Sequence, residues 1–152
     1  MAVPRLRKYV LGTKCFIDAA REAEARAAFE TFSSLAAPGL YLSAVVAAEL
    51  RAGAGRSLAA LERNVLGPYV CRQRVLTPSA ASWDTLGTTL AFFARHNGMV
   101  PGQMRRSFLF DILIAHSCRE AGAVLVSANT RDLERIAKVF TFDFVAPYPK
   151  LQ

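Results

Sequence analysis

Asp111 stands in FLFDILIA, where apolar side chains occupy nearly every face of a helix, so its carboxylate is expected to be at least partly buried. A buried carboxylate without a partner is costly and would rather take up a proton. Asp111 therefore calls for an arginine, a hydrogen-bond network or a cation. Glu49 repeats the pattern in AVVAAEL, an acid in an otherwise apolar helix, with a plain surface glutamate as the alternative. Asp132, with Asn129 beside it, follows the apolar run AVLVS where the chain turns into a helix, and an acid in a first helical turn is favoured by the helix dipole alone. Carboxylates gathered without basic partners repel one another, and proteins keep such clusters mainly to hold a hard cation. A divalent ion held in that way activates water and steadies the leaving oxygen of a phosphodiester. If the three acids meet, hydrolysis of a nucleic-acid backbone is the chemistry they suit.

Whether they meet depends on the elements that carry them. The run YVL at 9–11 reads as a strand, followed by a helix that begins near Asp18 and continues through AAREAEARAAFETFSSLA (19–36) to Pro38-Gly39. LYLS (40–43) is a strand whose Ser43 caps the helix AVVAAELRAGA (44–54), and the helix SLAALERNVL (57–66) is expected to stop at Gly67-Pro68. RVLTP (74–78) reads as a strand, and Ser79 caps a helix carrying Trp83, Leu86, Leu90 and Phe93 that ends at Asn97-Gly98. After the basic loop MVPGQMRR, Ser107 opens the helix of Asp111, which Gly122 closes in a left-handed conformation. AVLVS is apolar like a strand buried on both faces of a parallel sheet; NTRDLERIAKV, which Thr130 can cap, returns to helix, and FDFV supplies a last strand. This alternation predicts one three-layer α/β domain over residues 1–152, around a mainly parallel sheet. Sites in such sheets form beyond the carboxyl ends of the strands, which puts Gly12, the Ser43 region and the turn from Ser127 to Asp132 on one edge.

The chain carries 19 Lys and Arg against 12 acids, a net charge of +7 that suits a polyanionic partner or simply a solvated basic surface. Arg5, Arg7 and Lys8, the pair Arg72 and Arg74, and above all Arg105 and Arg106, just before the Asp111 helix, are candidates to follow an RNA backbone. The three cysteines are widely spaced in apolar surroundings, which argues against a disulfide framework or a zinc site and for mostly buried thiols. No uncharged apolar run is long enough to cross a bilayer, and MAVPRLRKYV lacks the apolar core of a signal peptide, so a cytoplasmic protein without membrane contact is expected. His96 and His116 lie outside any motif and read as packed or surface residues, and Trp83, Met99 and Met104 as core or interface. A generic phosphatase or nucleotide-binding protein is disfavoured because no glycine-rich phosphate loop occurs.

There remains the turn YVLGTKCFID. At this turn and at the segments LYLSAVVAAELRAGA, FLFDILIAHSCREAGAVLVSANTRDL and FDFVAPYP, the sequence resembles the PIN-domain ribonucleases, in particular the VapC-like toxins of bacterial toxin–antitoxin pairs. The resemblance covers nearly the whole chain and implies an α/β/α fold with metal-dependent endoribonuclease activity. It implies Glu49, Asp111 and Asp132 as catalytic ligands of Mg2+ or Mn2+, with Asn129 an alternative to the last and Ser127 where the family often has threonine or serine. In that family the first strand normally ends in Asp-Thr-Asn, whose aspartate is a principal metal ligand; here Gly12 replaces that aspartate, Thr13 is kept and Lys14 replaces the asparagine. Asp18 stands where the family commonly has another acid and is expected to be a helix-start residue rather than a ligand. The resemblance further implies an RNA substrate, a small antitoxin partner and a homodimer. Weakened metal binding follows from the missing carboxylate, with Lys14 a stand-in for part of the cation's charge. The rival expectation is a non-catalytic module that holds RNA or an antitoxin without turnover.

Overall fold

The structure, a computed structural model, describes residues 7–151. The apolar run AVLV forms β4 (Ala123–Val126), buried along its whole length. It pairs in parallel with β1 (Lys8–Leu11) and β5 (Asp143–Val145), while β2 (Leu40–Ser43) pairs with β1 and with β3 (Val75–Leu76). The sheet is parallel throughout, in the order β3-β2-β1-β4-β5. The chain winds outward from β1 to β3, then returns to add β4 on the other side of β1. The β1/β4 seam is therefore where the winding reverses, and connecting segments leave a crevice there beyond the strand ends.

Helices flank this sheet, completing the expected three-layer α/β/α arrangement: α1 (Thr13–Arg21), α2 (Ala23–Ala36), α3 (Ala44–Gly53), α4 (Leu58–Leu61), α5 (Gly67–Cys71), α6 (Ala80–Asn97), α7 (Arg106–Ala121) and α8 (Thr130–Ile136). Val10, Leu42, Val46, Ile112, Leu125 and Ile136, from six elements, are almost wholly buried in one continuous core. Each such side chain contributes about 1.5–3 kcal/mol on leaving water. Cys15 and Cys118 are buried within it, whereas Cys71 is exposed. Ser43 caps α3 as expected, its Oγ accepting from the amides of Val45 and Val46, and Ser79 caps α6. Gly98 and Gly122 close their helices with positive φ. No described helix is long and apolar enough to cross a membrane.

Four local expectations are revised. Helix begins at Thr13, directly after the first strand, and breaks at the extended Glu22, so one long helix becomes α1 and α2. The break is held by Arg26, whose guanidinium donates to the carbonyls of Ala19 and Ala20. The chain also continues as helix past Gly67-Pro68, through a π turn (Glu62–Leu66) into α5. Pro68 falls where the π turn gives way to α5, at the first turn of that helix. Third, α7 starts at Arg106, so Ser107 lies inside its first turn, and Arg106 is helical rather than loop. Fourth, Trp83 is 57% exposed and lies outside the core, which leaves only the interface half of its expectation. Arg5 lies outside the described residues.

Candidate active-site cleft

The pairing of β1 and β4 is extended past the strand ends by a hydrogen bond from the Gly12 amide to the Val126 carbonyl at 2.8 Å. It joins the carboxyl ends of β1 and β4 and launches α1 from the edge of the sheet. Glu49 comes from α3, whose start Ser43 fixes, and its Oε1 accepts from Thr13 Oγ1 at 2.8 Å. Asp111 comes from α7, and its Oδ2 accepts from the Asn129 side-chain amide at 2.8 Å. Asn129 is aimed by the turn after β4, in which Ser127 Oγ accepts the Asn129 backbone N–H at 3.1 Å. Gly12, Thr13, Lys14, Asp18, Glu49, Asp111, Ser127 and Asn129 all line one cleft of about 450 Å3. Desolvation pushes the Asp111 carboxyl up to about 7; the Asn129 hydrogen bond opposes this, and the negative charges of Glu49 and Asp132 add to it.

Asp132 departs from the expectation. It does not line the cleft; it is buried and paired with Arg105 at 3.3 Å and Arg135 at 3.4 Å. Asn129 also donates to it, at 3.1 Å, and thereby links the two aspartates. The reason is local: α8 begins at Thr130, so Asp132 falls in its first turn, one turn from Arg135, whose guanidinium also lies over the ring of Phe108. From this segment Ser127 and Asn129, rather than Asp132, line the cleft. Thr130 caps nothing with its side chain; Asn129 stands at the cap position. Asp18, on α1 rather than at a helix start, does reach the cleft wall. Arg105, expected on an RNA path, is engaged with Asp132, and Arg106 lies over the ring of Phe110.

Among the described residues, no three His, Cys, Asp or Glu side chains converge as a cage for a metal ion. Glu49 and Asp111 nonetheless present carboxylate oxygens to the same cleft. A magnesium ion that keeps most of its waters needs only one or two carboxylates. The donors thus fit a hydrated hard cation and not a closed, fully protein-ligated one. Gly12 has φ −70° and ψ 162°, an extended backbone open to any residue. A Cβ built there meets the Val126 carbonyl at 3.3 Å and Ser127 at 3.4 Å, so a side chain enters with shifts of a few tenths of an ångström. Glycine is not dictated by the turn.

Two features escape sequence reading. Arg21 lines the cleft beside Asp18, a placement readable from their three-residue spacing only once the helix is known to start at Thr13. An apolar trough of about 550 Å3 adjoins the cleft, lined by residues such as Ile17, Ala20, Leu50, Leu61 and Val65 and sharing Ile17, Arg21 and Glu49 with it. It forms between segments distant in sequence, so no local signal marks it. His116 is a packed residue, its Nδ1 2.8 Å from Ser82 Oγ, and His96 sits against Phe92.

Fold and cleft together define a parallel α/β domain with an acidic pocket at its winding reversal. The PIN domain family profile matches residues 9–139, and the chain belongs to that family. Among solved structures, the chain is similar to a FitAB complex bound to an IR36 DNA fragment, at 16% identity and TM-score 0.69, covering 95% of this chain and 98% of that one. It is also similar to DNA-bound VapBC from Salmonella typhimurium, at 24% identity and TM-score 0.66, covering 93% and 99%. VapBC2 from Rickettsia felis, bound to a promoter DNA fragment, matches at 21% identity and TM-score 0.65, covering 91% and 97%. No curated protein matches the chain in sequence.

Proposed function

We propose that this protein is the toxin of a toxin–antitoxin pair, an endoribonuclease that hydrolyses RNA phosphodiesters with Mg2+ or Mn2+. The observation that carries the reading is the meeting of Glu49 and Asp111 in one cleft at the β1/β4 seam, with Asp111 held near neutrality by burial and like charge. Such a carboxyl is stabilised by an incoming cation. A bound divalent ion would supply a polarised water and charge for the leaving oxygen. Glu49 and Asp111 would hold it, Thr13 orients Glu49, and Asn129 orients Asp111. Lys14 and Arg21, on the same wall, attract the RNA phosphate and compete with the metal for the carboxylates. Arg105 and Arg106 are both exposed, next in sequence to Ser107 of the cleft, and reversing both charges is expected to weaken RNA binding and flatten its salt dependence.

Gly12 removes one carboxylate from the turn where the family places it, so metal affinity and turnover are expected to be low. A second reading, a non-catalytic module that binds RNA or an antitoxin, is favoured by Gly12 and by the pairing of Asp132 with two arginines. The antitoxin docks in the apolar trough beside Glu49; the reading is supported by neighbours that are themselves toxin–antitoxin complexes. A cytoplasmic homodimer completes the proposal.

The test is cleavage of a mixed RNA pool with manganese by the natural chain, by Gly12→Asp, and by a Gly12→Asp, Asp111→Asn double variant. Cleavage by Gly12→Asp alone identifies a disarmed nuclease. If the natural chain also cuts and the double variant does not, the cleft suffices without Gly12→Asp. Cleavage by none of them overturns the nuclease reading in favour of the binding module.

A further inference from the structure

The trough does not end at Val65. Phe16, Phe29 and Val65 are shared with a further hollow of about 260 Å3, whose far wall carries Asn64, Tyr69 and Arg72. The chemistry changes there. The trough proper includes Glu30 and Glu49 beside Arg21 and Arg26 among its lining, Arg26 being held by the carbonyls of Ala19 and Ala20, whereas no acid lines the hollow. Its basic side chains differ in availability: Arg74 donates to the carbonyls of Ala37 and Pro38. Arg72 has no ion-pair partner among the described residues and is exposed. Ser33 also borders the hollow, and its hydroxyl is buried without a hydrogen-bond partner. Burial pushes the Tyr69 phenol up to about 12, so it stays a neutral donor.

Asn64 owes its place to a built irregularity. Residues Glu62–Leu66 wind as a π turn, and a Cβ on Gly67 would stand 2.8 Å from the Glu62 carbonyl. Glycine at 67 is therefore what lets the chain carry Asn64 and Val65 onto the wall before α5 brings Tyr69 and Arg72. Turns of this type cost regular hydrogen bonding and recur at functional sites.

We infer that this hollow recognises a carboxylate at one end of the peptide partner that lies in the trough. Arg72 supplies the charge, and Asn64 and Tyr69 supply neutral donors. An apolar middle ending in a cationic, acid-free hollow complements an amphipathic peptide with an acidic end. It complements a nucleic acid less well, because a phosphate backbone would pass the carboxylates of Glu30 and Glu49 in the trough. The inference rests on the reading of the trough as the antitoxin groove.

The experiment measures binding of short designed amphipathic peptides by fluorescence anisotropy. They share one apolar face and carry paired glutamates or paired lysines at either terminus. The targets are the full chain, Arg72→Glu, Arg72→Lys and Leu61→Glu, which places a charge in the trough, with helical circular dichroism confirming that each variant folds. The glutamate peptides are expected to bind the natural chain about tenfold more tightly than the lysine peptides, a factor equal to about 1.4 kcal/mol. Arg72→Glu is expected to abolish or invert that preference, Arg72→Lys to keep part of it, and Leu61→Glu to weaken all the peptides. Equal binding of both peptide kinds, still sensitive to Leu61→Glu, overturns the carboxylate inference and leaves the groove reading standing. Absence of binding by any peptide overturns both. Loss of a labelled single-stranded RNA probe in Arg72→Glu, with peptide preference unchanged, assigns the hollow to nucleic acid and also overturns the inference.

Discussion

Replacing Asp111 by asparagine is expected to stabilise the protein, increasingly as pH rises from about 4 to about 7 and fully above that. The side chain is partly buried, its Oδ2 accepts from Asn129, and its carboxyl is pushed from 3.8 up to about 7, first by desolvation and then by Glu49 and Asp132. A carboxyl whose folded pKa lies above its unfolded one binds more protons in the native state between those values. Stability therefore falls as pH rises through that window. Three pH units at about 1.4 kcal/mol each set a ceiling of about 4 kcal/mol for the penalty of ionised Asp111. Solvent reaching the partly exposed side chain screens some of it, so about 2–4 kcal/mol is expected. Asparagine keeps an acceptor for Asn129 and carries no charge. Urea unfolding in EDTA should thus give matching stabilities near pH 4 and a gap opening to about 2–4 kcal/mol near pH 8. Adding Mn2+ should narrow that gap by stabilising the natural chain alone. A difference independent of pH, or a variant less stable near pH 8, would refute the assignment of Asp111 as a desolvated, like-charge-strained carboxylate.

Other substitutions probe the cleft wall and the helices beside it. Lys14→Ala removes an ammonium from the cleft wall and is expected to raise Mn2+ affinity several-fold by calorimetry; unchanged affinity would mean that Lys14 does not compete with the cation. Gly67→Ala forces a methyl to 2.8 Å from the Glu62 carbonyl and is expected to cost about 1–3 kcal/mol in urea unfolding. No loss would show that the π turn relaxes freely. Ser43→Ala leaves two amides at the start of α3 without their acceptor, with an expected cost of about 1 kcal/mol by the same measurement. It should also weaken Mn2+ binding, because α3 carries Glu49.

Much of the architecture was legible because local chemistry and the final fold agree. The apolar run AVLV could only be a strand covered on both faces, Ser43 and Ser79 cap where a hydroxyl precedes a helical pattern, and Gly98 and Gly122 take the left-handed conformation that ends helices. Asp111 announced itself by lying in a helix with no polar face. The errors fall where tertiary contacts override local signals. Arg26 breaks the first long helix by binding carbonyls of the turn before it, and Gly67-Pro68 reads as a stop yet becomes a helical first turn.

What the sequence by itself determined is the alternation that makes a parallel sheet, the sheet edge to which its turns lead, and the acids, Glu49 and Asp111 among them, carried toward that edge. Only the tertiary structure decided which polar side chain of SANTRD meets Asp111 in the cleft. Helix α8 begins one residue after Asn129, turning the amide toward Asp111 and the carboxylate of Asp132 toward two arginines from α8 and the start of α7. Periodicity assigns a residue to a face, but the partner waiting at that face comes from elsewhere in the chain. The trough and its cationic end arise the same way, between helices that share no local pattern and meet only when the sheet has brought them together.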